Sequence, residues 1–304
     1  HTGRKKPGSK NLRDHKRVGE HRERCQKNRR RNNNQEDVHD YPSIPYENEG
    51  NMTPHERTRR KRLRRIRITG WTALTSLLVT LVGFLTYFHI VFPAERSATL
   101  DVFRDDRVQV ETSDARVIMS PAGDSLPRGI LYFPGARVDP YSYLYPLADI
   151  AAAGTTVVVV DPLFNMALLD TRGVSELTTD FPGITSWVLA GHSLGGVKAC
   201  MEASHPAVTR LVLFASSCAN DISDLDIEVF QVIGDRDGLL DDSLRREAES
   251  LLPPGQHRTF TIRGANHADF GTYGPQPGDG ESVYSNRVMR TMITGALTTH
   301  VLQD

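Results

Sequence analysis

The 304-residue chain is long enough for one substantial α/β domain with further material attached. Its 37 Lys or Arg balance 37 Asp or Glu, which excludes a uniformly basic nucleic-acid-binding protein and a uniformly acidic disordered one. The balance hides a division. Residues His1 to Arg67 hold 21 Lys or Arg against 9 Asp or Glu, and the remainder holds 16 against 28, so the two parts suit different surroundings.

The basic stretch from His1 to Arg67 has no periodic apolar pattern and is rich in Arg, Lys, Asn and Gln. It cannot bury enough surface to offset ordering, and a disordered tail is expected. Basic runs at Asn28–Arg31 and Arg57–Arg67 raise nucleic-acid binding as an alternative, but no aromatic residues interleave to stack on bases, and no nucleic-acid partner is expected.

Ile68 to Phe92 follows with no Asp, Glu, Lys or Arg. As a helix it would reach roughly 37 Å, against a hydrocarbon core of about 30 Å. Trp71 at one end and Tyr87, Phe88 and Phe92 at the other suit the two interfaces, and Pro93 would stop the helix. A single membrane span over 68–92 is predicted, in place of a cleaved signal peptide or a buried core helix. The eight Lys or Arg from Arg57 to Arg67 should stay cytoplasmic. The chain would then be a single-pass protein of the cell membrane with residues 93–304 extracytoplasmic.

From there the chain alternates strands and helices. Strands are predicted at Val108–Val110, Arg116–Met119, Gly129–Phe133, Thr155–Val160, Trp187–Ala190, Arg210–Phe214, Glu228–Ile233 and His257–Ile262. Helices are predicted at Tyr141–Ala153, Leu194–Ser204, Leu239–Leu252 and Ser282–Val301. The alternation implies right-handed crossovers and a doubly wound, mostly parallel sheet, with functional groups at the carboxyl ends of strands. A bridge between Cys200 and Cys218 is one alternative, but separate buried apolar residues are the expectation, since one falls well down a helix and the other just past a strand top. No His or Cys cluster has metal-ligand spacing, and neither metal nor cofactor is expected.

Gly191-His192-Ser193-Leu194-Gly195-Gly196 sits between a predicted strand and a predicted helix. There a serine can project above the sheet as a nucleophile, with the Leu194 amide aimed at a developing oxyanion. A serine needs a base, and His267 lies in the loop after the last strand; His205 and His257 fall at element ends facing away. For the acid, Gly234-Asp235-Arg236-Asp237-Gly238 follows a strand, and Asp237 is preferred to Asp235, which reads as a turn former or partner of Arg236. Asp221 and Asp224 remain substitutes. The order Ser, Asp, His is that of α/β-hydrolases. The Ala136 amide, after Phe133-Pro134-Gly135, is the candidate second oxyanion donor, with an ordinary strand-ending turn as the alternative.

On these motifs, and on Gly264 to Gly271 continuing through Tyr273 to Gly280, the stretch from about Gly129 to Val301 resembles the compact, capless α/β-hydrolases related to dienelactone-hydrolase-like proteins. The resemblance implies Ser193 as nucleophile, His267 as base and Asp237 as acid. Dienelactone hydrolases proper use cysteine where this chain has Ser193, so that activity is not implied. The expected function is cleavage of small or surface-presented carboxylic esters through an acyl-enzyme. An acyltransferase with the same triad and a non-catalytic binding module are the rivals.

Overall fold

The computed structural model describes residues 52–302. The expectation of disorder for the tail falls mostly on residues 1–51, outside that span. The chain divides into two units, His1–Ala73 and Leu74–Asp304, and the boundary falls inside helix α1, Pro54–His89.

Helix α1 corrects the sequence reading at both ends. It begins in the basic run, where disorder is expected, because Thr53 and Glu56 form a capping box. The Thr53 amide donates to Glu56 Oε2 (2.9 Å), and the Glu56 amide donates to Thr53 Oγ1 (3.4 Å). Arg and Lys are good helix formers, so the run propagates once capped. The helix stops at His89 and not at Phe92 because tertiary pairing takes over. The Phe92 amide donates to the Arg137 carbonyl and its own carbonyl accepts from Asp139, which makes a parallel bridge to Val138. Apolar side chains on α1 such as Trp71, Leu77, Val79 and Val82 are exposed. Among the described residues this is the one helix long and apolar enough to cross a membrane.

The rest is an eight-stranded sheet in the order β1-β2-β4-β3-β5-β6-β7-β8. The strands are Val108–Ser113 (β1), Arg116–Pro121 (β2), Arg128–Phe133 (β3), Thr156–Val160 (β4), Ser186–His192 (β5), Val208–Phe214 (β6), Glu228–Gly234 (β7) and His257–Ile262 (β8). β2 pairs antiparallel with β1 and β4, and every other pairing is parallel. The expected doubly wound, mostly parallel sheet is the one observed.

After α1 the helices are α2 (Arg96–Phe103), α3 (Leu144–Ala152), α4 (Val174–Leu177), α5 (Leu194–Glu202), α6 (Asp242–Glu247) and α7 (Asn286–His300). α2 and α4 were not expected. α3 and α6 are shorter than predicted: 3₁₀ turns occupy Pro140–Tyr143 and Ala248–Leu251, and the Asp241 side chain caps α6 so that it starts only at Asp242.

Successive strand residues point to opposite faces, and both faces are covered. Ile130, Tyr132, Val157 and Val159 pack with Leu147, Ile150, Ile293 and Leu297 on the side of α3 and α7. Leu131, Phe133, Val158, Val160 and Leu189 pack with Ala199, Cys200 and Leu177 on the side of α4 and α5. β4 is wholly buried, and each of its valines contributes about 1.5–3 kcal/mol by leaving water.

The expectation of separate cysteines is overturned: Cys200 and Cys218 are disulfide-bonded, with Cα atoms 5.5 Å apart. The chain after β6 does not stay at the strand top. It turns back along α5, where the Asn220 side-chain amide donates to the Cys200 carbonyl.

Parallel register brings the carboxyl ends of six strands to one edge. Phe133 pairs with Gly191, His192 with Phe214, and Gly234 with Ile262. Residues 215–227, between β6 and β7, contain no helix, so no cap rises from that connection.

Candidate active site

Ser193 is the single residue between β5 and α5, and its backbone is held at φ 53, ψ −126. Such a conformation costs a non-glycine residue about 1–3 kcal/mol and persists only where the surroundings determine it. Here they do. The Ser193 amide donates to the Phe214 carbonyl (3.0 Å), and the Ser193 carbonyl accepts from Ser216 Oγ (2.7 Å) and from the Gly196 amide (3.0 Å). Two glycines make room for the turn. A Cβ on Gly191 would collide with the Gly195 backbone, and one on Gly195 with the carbonyls of Phe133 and Pro134.

His267 and Asp237, on the loops after β8 and β7, meet at the same edge. His267 Nδ1 lies 2.8 Å from Asp237 Oδ2, and both side chains are buried. The other carboxylate oxygen accepts the amides of Leu239 and Leu240, each at 2.8 Å. An ionised carboxylate only accepts, so His267 Nδ1 carries the proton and its Nε2 is left as the basic atom. The His267 ring lies 4.7 Å, centroid to centroid, from that of His192, the residue preceding Ser193. Among the described residues the Ser193 hydroxyl makes no hydrogen bond to His267 or Asp237.

The other candidates are occupied elsewhere. Asp235 accepts the Gly264 amide (2.5 Å) and holds the start of the His267 loop; of its two expected roles, partner of Arg236 is not observed, since Arg236 donates to the Glu281 carbonyl (3.1 Å). Asp221 forms a local turn with Ser223, and Asp224 is exposed on the same loop. His205 bonds Ser175 and His257 bonds the Pro253 carbonyl, both near the amino ends of strands. Among the described residues no group of His, Cys, Asp or Glu is placed to hold a metal ion.

The Leu194 amide heads α5, where the first turn leaves its donors unpaired. The Ala136 amide lies in the turn after β3. Among the described residues neither hydrogen is taken by an acceptor, while the flanking amides of Gly135 and Arg137 are both bonded.

Three residues escaped the sequence reading. Asp279 accepts four backbone amides, from Gly238 (3.1 Å), His267 (3.1 Å), Ala268 (2.9 Å) and Gly280 (2.8 Å), and so ties the Asp237 loop to the His267 loop. Its one trace in the sequence is an aspartate between glycines in Gly278-Asp279-Gly280. Tyr143 and His192 form a directed relay. His192 Nε2 faces the His267 carbonyl (3.0 Å) and must donate to it, so Nδ1 accepts from Tyr143 Oη (3.0 Å), which itself accepts the Gly135 amide (2.8 Å). Burial first, and then the neighbouring His267, hold the His192 pKa well below the usual histidine range, so the ring is neutral as the relay requires. A Cβ on Gly135 would press on His192 Nδ1 at 2.7 Å. The relay joins the Ala136 turn, the elbow and the His267 loop.

A family model described as the alpha/beta hydrolase family matches residues 129–291, more than half of the chain. No curated protein matches the sequence. Solved structures that resemble it include XC6422 from Xanthomonas campestris, described as an a/b serine hydrolase without lid (15% identity, 65% of this chain and 97% of that one, TM-score 0.47). Others are TT1662 from Thermus thermophilus (16%, 65% and 99%, 0.47) and the alpha/beta hydrolase MGS-MChE2 from a lagoon-sediment metagenome of Mar Chica, Morocco (15%, 63% and 98%, 0.45).

Proposed function

The chain belongs to the alpha/beta hydrolase family, and on that footing we propose that it is a membrane-anchored serine hydrolase that cleaves carboxylic esters through an acyl-enzyme. The observation that carries this reading is the buried His267–Asp237 pair at 2.8 Å, set beside the strained Ser193 elbow. Ser193 Oγ attacks the ester carbonyl while His267 Nε2 takes its proton, and Asp237 stabilises the imidazolium that forms. The amides of Leu194 and Ala136 receive the oxyanion; that both are unpaired supports their role. His267 returns the proton to the leaving alcohol, and water then releases the acid by the same steps.

The topology belongs to the proposal. Helix α1 spans the membrane, the basic residues from Arg57 to Arg67 hold its amino end in the cytoplasm, and the hydrolase domain lies outside. The Cys200–Cys218 bridge supports an oxidising surrounding for that domain.

The test is labelling of the full chain with a fluorophosphonate, alongside hydrolysis of p-nitrophenyl acetate. We expect an adduct on Ser193 and a rate in Ser193→Ala at least about a thousandfold lower. An unlabelled serine, or an alanine variant with full activity, removes the mechanism.

A further inference from the structure

The end of α1 does not lead into an arbitrary part of the domain. Between His89 and Phe92 the chain can extend at most about 11 Å. The Phe92 amide donates to the Arg137 carbonyl (2.7 Å), and the Arg137 amide donates in turn to the Asn165 carbonyl (2.7 Å). Three residues further on, the Glu95 amide donates to Thr272, on the loop that carries His267. The first rung therefore touches the residue next to Ala136, the second reaches the segment after β4, and the third ties in the base loop. Side chains follow the same path. The Arg137 guanidinium lies 4.3 Å from the Tyr87 ring centroid, and the Phe92 ring lies 6.0 Å from that of Tyr273, itself 6.2 Å from His192.

The segment reached by the second rung differs from the rest of the domain surface. Leu163, Phe164, Leu168 and Leu169 are all exposed, Leu163 to 68% and Leu169 to 49%. Phe164 and Asn165 are held at positive φ, 58 and 52, a conformation that other residues than glycine seldom adopt. Leu163, Phe164 and Leu169 border an open hollow of about 700 Å3 whose polar side carries Asp161 and Arg172. Leu163, Leu168 and Leu169, three large apolar side chains exposed within seven residues, mark a contact with an apolar phase. The phase within reach is the one that holds α1, since the headgroup layer of a leaflet is only about 5–8 Å deep and the ladder starts three residues beyond the helix.

We propose that the site opens toward the outer leaflet of the bilayer that anchors this chain, with Leu163–Leu169 resting on that leaflet, and that the substrate is an amphiphilic ester presented there. The substrate clause rests on the hydrolase reading, and the contact with the leaflet rests on the membrane-span reading alone.

Two measurements on the full chain in phosphatidylcholine vesicles separate the clauses. In a Cys25→Ser background, which leaves only the bridged cysteines, an environment-sensitive fluorophore is placed at Leu168→Cys or, as a control near the amino ends of the strands, at Ser204→Cys. Brominated phosphatidylcholine should quench the first at least about twofold more strongly than the second, with a blue-shifted emission. Equal quenching, or a chain that does not float with the vesicles, overturns the contact whatever the activity. In the second measurement, Leu163→Ser with Leu169→Ser should lower hydrolysis of a long-chain umbelliferyl ester dissolved in the vesicles at least about fivefold, leaving p-nitrophenyl acetate hydrolysis unchanged. An equal fall on both substrates, or none, overturns the substrate clause. Absence of any hydrolysis by the unaltered chain refutes the hydrolase reading, and the substrate clause with it, while the quenching result stands by itself.

Discussion

Helix α1 and strands β3 to β6 use the same residue types for opposite ends. Leu131, Val158, Leu189 and Val212 are fully buried, whereas Leu77, Val79 and Val82 on α1 are mostly exposed. Apolar composition dictates removal from water but does not say into what. The sheet supplies its own apolar surroundings through the helices on its two faces. α1 has apolar side chains around its whole circumference, and no single packed face would satisfy them. The lesson concerns substitution: the same change should register in different observables in the two regions.

Leu189→Ala against Leu78→Ala makes the largest contrast. Leu189 stands on β5, four residues before Ser193, and truncation removes its transfer energy and leaves a cavity, costing about 2–5 kcal/mol. For a domain of this size that lowers Tm by roughly 5–15 °C in detergent. Leu78 is half exposed on α1, and its truncation should leave the Tm of the domain within about 1 °C. A comparable loss at both positions would mean that α1 is a structural part of the domain, and the contrast would collapse.

The same contrast governs what could be read in the sequence. β4 was legible because an unbroken run of valines has no other economical use than a strand covered on both faces. The placement of Ser193, Asp237 and His267 at one edge was legible because each follows a strand, and a parallel sheet brings strand ends together. The start of α1 was not, since its Arg-rich turns read as a solvated tail until the Thr53–Glu56 box is noticed. The Cys200–Cys218 bridge was missed because the path of a loop, here the descent of residues 215–227 along α5, leaves no periodicity. Asp279 and Tyr143 were missed for a related reason: each joins loops distant in sequence through backbone amides, and such bonds impose no residue pattern at the far end.

Tyr143→Phe sharpens the comparison inside the domain, since it changes no apolar contact and removes one buried hydroxyl. The Gly135 amide and His192 Nδ1 would both lose their partner. A buried polar group left unpaired costs about 1–3 kcal/mol, and a destabilisation of about 2–4 kcal/mol in urea unfolding is expected. Because Gly135 precedes Ala136, the turn should lose its alignment. We expect kcat to fall about tenfold or more with KM within about twofold, the sign of an interaction used mainly in the transition state. A stability loss with kcat untouched would leave Tyr143 a structural residue only.

The smallest effect concerns pH. The folded domain keeps His192 neutral, held well below the ordinary histidine range by burial first and then by His267. The unfolded chain binds a proton at this residue as pH falls through about 6.5, and the folded chain does not. The unfolded state then holds more protons, so stability declines as pH drops below about 6.5, with a slope of up to about 1.4 kcal/mol per unit, and is fully present above it. The other titratable groups around the ring are Tyr143, Tyr273 and His267. Burial pushes both phenols up, and they stay neutral throughout. Urea unfolding of the unaltered chain and of His192→Gln between pH 7.5 and 5 isolates the contribution, because every other titratable group is common to both. The variant should start less stable and show a slope shallower by up to one proton. Identical slopes would mean that the folded domain accepts a proton on His192, which the donated bond from Tyr143 to its Nδ1 forbids.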